Sequence, residues 1–93
     1  MKEIRWSKQA VLDLEDMAVW LNTRNPQAAE RAELEIGNAV LAIARRPFAW
    51  PQVRGFDARC RSLPKWKRRI IFQVGDDFVL IVSIKHTRRN IAK

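Results

Sequence analysis

The residues of this chain best suited to chemistry are basic side chains at alternating positions, and they crowd its second half. Arg59 and Arg61, Lys65 and Lys67 around Trp66, Arg69, then Lys85, His86, Arg88 and Arg89 all fall between positions 59 and 89. A guanidinium fork pairs with two phosphate oxygens at once, and a strand spaces such forks without an entropic penalty. The pattern suits an anionic partner. Trp66 admits two readings: it stacks on a base, as aromatics of single-strand binders do, or it closes one end of the core or an interface. His86, the only histidine, is either a structural strand-end residue or a proton-transfer group. Lys85, Arg88 and Arg89 disfavour its protonated form, leaving a neutral base beside phosphate-binding groups. That arrangement is workable for cleaving RNA through its 2′-hydroxyl, although Asp57 is the only candidate carboxylate near it in this half.

Other chemistries find no residues. There is no glycine-rich phosphate loop, no HExxH and no pair of carboxylates on the basic segment, so neither a metal nor a nucleotide cofactor is expected. Cys60 is the only cysteine, which excludes an intrachain disulfide and cysteine-based zinc clusters. No apolar run reaches membrane-spanning length, and MKEIRWSKQ lacks the hydrophobic stretch of a signal peptide; a reducing cytoplasm is the expected compartment and no membrane partner is expected.

Charge is distributed as unevenly as the motifs. Of the net +8, residues 1–44 contribute five basic against seven acidic side chains, a net of −2, and residues 45–93 thirteen against three, a net of +10. A field so lopsided favours nucleic acid or an acidic protein as partner; the plainer alternative is a soluble basic surface with no dedicated ligand.

The elements that position these residues are legible from periodicity. At 93 residues, 47% apolar and 30% charged, the chain is expected to be one globular domain over residues 1–93. KEIRW at 2–6 alternates as a short first strand. Ser7 stands as the N-cap of a helix over 8–23, whose Val11, Leu14, Ala18 and Leu21 make an apolar stripe. Asn25 and Pro26 start a second helix over 26–45, with Ala28, Ala29, Ala32, Ile36, Ala39, Val40, Ile43 and Ala44 on one face. Residues 47–58, with two prolines and a glycine, read as a loop. Strands follow at 59–63, 69–74 and 78–85, the last two joined by a Gly75-Asp76-Asp77 turn. The expected fold is α+β: a short N-terminal strand, an antiparallel helical hairpin, then a three-stranded antiparallel meander, giving a small sheet with helices on one face. Strict alternation puts Ile70, Phe72 and Val74 with Phe78, Leu80, Val82 and Ile84 on the helices, and Arg69, Ile71, Gln73, Val79, Ile81, Ser83 and Lys85 on the open face. If Arg59 and Arg61 point the same way, that face holds three arginines and a lysine.

This order of elements resembles the RelE/ParE superfamily of bacterial type II toxins. The likeness rests on RWSKQAVLDLEDMAVWL at 5–21, PQAAERAELEIGNAV at 26–40, and above all RCRSLPKWKRRIIFQVGDDFVLIVSIKHTRR at 59–89. It covers almost the whole chain, through an arginine strand, an arginine before an aliphatic-aromatic strand, and an aliphatic strand closing on His-x-Arg-Arg. The resemblance implies a growth-inhibiting toxin, of the kind linked to plasmid stabilisation, that is wrapped and neutralised by an acidic antitoxin in a hetero-oligomer. It also implies one of two targets. Members of the RelE-like branch cut messenger RNA on the ribosome, for which Arg59, Arg61, Arg69 and His86 match the phosphate-binding and catalytic positions. Many active members add a tyrosine; this chain has none, and Phe72 stands where an aromatic hydroxyl is expected. ParE-like members poison DNA gyrase without being enzymes, and the alanine-rich second helix, the PFAWPQVRG loop and the IKHTRR ending fit that branch better. In either case the resemblance makes Arg59, Arg61, Lys65, Trp66, Lys67, Arg69, Lys85, His86, Arg88 and Arg89 the candidate target or phosphate contacts. A basic nucleic-acid-binding or inactive protein of the same fold is the remaining alternative.

Overall fold

In the computed structural model, which describes residues 1–87, Ser7 sets the geometry of the N-terminal half. Its hydroxyl accepts the Ala10 N–H at 3.0 Å and donates to the Val82 carbonyl at 2.6 Å. One side chain therefore caps α1 (Lys8–Arg24), follows directly on β1 (Glu3–Trp6), and holds the first helical turn on the sheet. Asn25 repeats the capping role for α2 (Pro26–Arg45), accepting from Ala28 N–H at 3.2 Å with Pro26 in the first helical position.

The inward face of α2 is the one its periodicity predicts: Ala29, Ala32, Ile36, Ala39, Val40, Ile43 and Ala44 are buried. In α1 the stripe is offset. Ala10 and Met17 are buried, with Leu14 and Leu21 packed against the core, whereas Val11 is 41% exposed. The Ser7–Val82 bond explains the offset, because docking the first turn through its cap brings position 10 to the sheet and rolls position 11 outward.

β2 (Arg59–Leu63), β3 (Arg68–Val74) and β4 (Phe78–His86) form the antiparallel meander. β1 joins β4 in parallel, so the four-stranded sheet has the order β1-β4-β3-β2. β4 is thus an inner strand, and its edge beyond β1 is covered by side chains: Asp13 on α1 accepts the Ile84 N–H at 2.9 Å.

A β-bulge changes which side of β4 is buried. Ile70 faces Ile84 and Ile71 faces Ser83, but Phe72 faces Ile81, leaving Val82 as the extra residue. One inserted residue inverts the alternation. The core therefore receives Val79 and Ile81 before the bulge and Ile84 after it. Phe78 and Leu80, expected on the helices, lie on the other face. Because residues 78–82 are all apolar, the sequence is compatible with either alternation, and only the pairing selects one. Phe72, Ile70, Ile81 and Val79 close the core beneath Ile36 and Ile43. Among the described residues no helix is long and apolar enough to cross a membrane.

Candidate functional site

Strand register decides where each basic residue points, since side chains directly opposite each other share a face of the sheet. Arg59 lies opposite Phe72 and Arg61 opposite Ile70, so both project to the helix side and not, as strict alternation allowed, beside Arg69. Both are engaged there. Arg61 Nη1 donates to the Ala39 carbonyl of α2 at 3.5 Å, and its guanidinium lies 4.3 Å from the centre of the Trp50 ring. Arg59 Nη1 donates to the Trp50 carbonyl at 2.7 Å and sits 5.0 Å from the Phe48 ring. These two arginines clamp the 47–58 segment to the sheet.

The open face carries a smaller basic group than expected. Ser62, Arg69 and Lys85 form one row across β2, β3 and β4, and Cys60, Ile71 and Ser83 form the next. Arg69 Nε is buried in this face without an acceptor. A buried donor on a cation that lacks a partner favours any anion able to reach it. Burial pushes the Cys60 thiol pKa up, and neighbouring Arg69 and a hydrogen bond with Ser62 only partly oppose this, which favours the less reactive protonated thiol.

His86 lies opposite Arg68 on the helix side. With Trp20, Arg24, Arg68 and Ile84 it lines a groove of about 570 Å³ between α1 and the end of β4. The four residues matched to a ribonuclease site are therefore not convergent. Arg69 is on one face; Arg59, Arg61 and His86 are on the other, with His86 separated from the two arginines by the width of β3. Phe72, where a tyrosine hydroxyl was expected, is wholly buried in the core.

Trp66 belongs to the fold. In the 3-10 turn Pro64–Trp66 its indole Nε1 donates to Glu35 Oε1 at 2.8 Å, Lys65 Nζ reaches Glu35 Oε2 at 3.2 Å, and the ring packs on the core. Lys67 ends that turn in the left-handed conformation, φ 54°, with its side chain exposed. Arg88 and Arg89 lie outside the described residues. The Trp66 N–H, then Lys65, hold the Glu35 carboxyl below the usual carboxylate range. A depressed folded-state pKa gives stabilisation that is present above the unfolded value and is lost as pH falls through the folded one. The Trp66 indole N–H resonance is accordingly expected to move only in acid, below the ordinary glutamate range, and to lose that titration in Glu35→Gln. An unchanged profile in the variant would dissociate Glu35 from Trp66.

The residues that sequence reasoning passed over lie in the 47–58 segment, read simply as a loop. It is an ordered arm. Gln52 pairs with Arg59, Cys60 N–H donates to the Pro51 carbonyl at 2.9 Å, and Val53 N–H to Ala58 at 2.7 Å. Gln73 Nε2 on β3 holds the Asp57 carbonyl at 3.1 Å. Phe48 and Phe56 are 65% and 73% exposed. The available signal was compositional: two phenylalanines and a tryptophan are unusual in a segment that needs only turn residues.

Comparison with known proteins is consistent with this architecture. Residues 4–91 match the family model described as the ParE toxin of type II toxin-antitoxin system, parDE. Among solved structures, a chain of the chromosomal ParDE TA system from P. aeruginosa superposes with a TM-score of 0.80 at 19% identity, over 92% of this chain and 96% of that one. A chain of the intact E. coli RelBE toxin-antitoxin complex gives 0.61 at 16% identity, over 90% and 94%. Identities this low carry the fold alone. No curated protein matches the sequence.

Proposed function

The chain belongs to the ParE toxin family of type II toxin-antitoxin systems, and from that premise we propose that it arrests growth by poisoning DNA gyrase in the cytoplasm, held in check by an acidic cognate antitoxin. The observation that favours this over messenger cleavage is the separation of Arg69 from Arg59, Arg61 and His86 by the sheet itself. General acid-base cleavage needs its base and its phosphate-stabilising cations within hydrogen-bond reach of one scissile group. Here Arg59 is engaged by the 47–58 segment, Arg61 by α2 and the Trp50 ring, and the histidine lies in a different groove. A protein that acts by binding needs no such convergence.

Purified toxin incubated with gyrase, ATP and supercoiled plasmid, then denatured, is expected to leave cleaved linear DNA, and added antitoxin to suppress it. His86→Gln is expected to retain growth arrest. A loss of about a hundredfold or more in that variant, with the fold intact, is what removal of a general base produces and would return the reading to ribonuclease. Failure of the wild-type toxin to trap any cleaved plasmid would remove gyrase as the target.

A further inference from the structure

The 47–58 arm presents an exposed aromatic side chain at its tip, where solvation gives no reason for one. Phe56 sits at the tip of a turn that Gly55 permits, with φ +84°, and that the Phe56 N–H closes on the Val53 carbonyl at 3.1 Å. Exposed apolar side chains in a loosely held loop need no explanation, but this backbone is bonded across its turn at Gln52–Arg59, Val53–Ala58 and Pro51–Cys60, and again to β3 through Gln73. At its base Arg59 is fixed to the Trp50 carbonyl and lies beside the second exposed ring, Phe48. The arm is therefore a rigid projection, and its outward side chains are the kinds that dominate binding energy at protein interfaces, aromatic and arginine.

Charge and shape narrow the occupant. Between positions 45 and 59 stand Arg45, Arg46, Arg54 and Arg59 against Asp57 alone, a net of +3; Arg54, beside Gly55, is exposed. An acidic partner is favoured. A disordered acidic segment binds by laying itself into a groove or onto a strand edge, whereas a preformed convex tip complements a preformed concave surface. We propose that the arm is the target-docking element of this toxin, with Phe56 inserting into an acidic concave site on a folded protein and Arg54 pairing with carboxylates at its rim.

This inference rests on the reading that the toxin acts by binding a protein, and the test separates the two. Phe56→Ala and Arg54→Glu are made in the full chain and purified through the cognate antitoxin complex. Growth arrest, gyrase-dependent plasmid cleavage, antitoxin affinity and single-stranded nucleic-acid binding are measured for each. Loss of a central interface anchor costs about thirtyfold in affinity, so arrest and cleavage are both expected to require about thirtyfold more toxin in Phe56→Ala. Antitoxin affinity is expected to be unchanged, which also reports an intact fold. Arrest at the wild-type toxin level in both variants overturns the proposal. So does a parallel loss of antitoxin affinity in the exposed Arg54→Glu, which would make the antitoxin the occupant, and so does an equal loss of single-stranded nucleic-acid binding, which would make it a nucleic acid. If wild-type toxin leaves gyrase untouched while Phe56→Ala still abolishes arrest, the gyrase reading fails and the docking arm stands.

Discussion

Phe72→Ala is expected to destabilise the toxin by about 3–5 kcal/mol, the range for truncating a fully buried aromatic. Phe72 is 0% exposed and meets Ile81 across the strands and the α2 face above. In a chain this small the interior has little capacity to collapse around the void, and total stability for such domains is about 5–15 kcal/mol. Much of the margin would go. Urea unfolding is the measurement, with the midpoint falling at constant slope; Phe72→Leu, which conserves more of the volume, is expected to lose far less. A loss below about 1 kcal/mol for the alanine variant would mean that the core is not organised around this ring.

The same residue shows what the sequence made legible. The alternation of Ile70 and Phe72 identified the buried side of β3 correctly, and the alanine face of α2, the Ser7 and Asn25 caps and the positions of the elements were equally readable, because each is a local pattern. Register was not readable. Where an unbroken apolar run such as FVLIV admits both alternations, a bulge at Val82 leaves no trace in composition, and with it went the assignment of Phe78 and Leu80. The sides taken by Arg59 and Arg61 depend on their pairing with β3, a contact between strands that no spacing within β2 reveals. For that reason basic residues that alternate in sequence are divided between two faces, and a loop defined by its prolines is a bonded arm.

The charge that remains on the open face suits an acidic antitoxin segment. Arg69 and Lys85 stand side by side in one row with Ser62, and no acidic side chain of this chain forms an ion pair with either of them among the described residues. An acidic segment that folds on contact would supply carboxylates to both cations and apolar side chains to Ile71 and Leu80 on the same face. Reversing two charges at such a contact replaces attraction by repulsion, and truncation of even one member of a buried charge pair costs about 2–5 kcal/mol. Arg69→Glu with Lys85→Glu is therefore expected to weaken antitoxin binding by at least about a hundredfold. The wild-type complex is expected to weaken as salt rises, and the double variant to show less of that dependence. Because the proposed docking arm lies in a separate segment, toxicity should persist, so that co-expressed antitoxin no longer rescues growth. If the double variant is still neutralised and its affinity is unchanged, the antitoxin seat must lie elsewhere, and the groove between α1 and β4 that holds His86 becomes the surface to mutate.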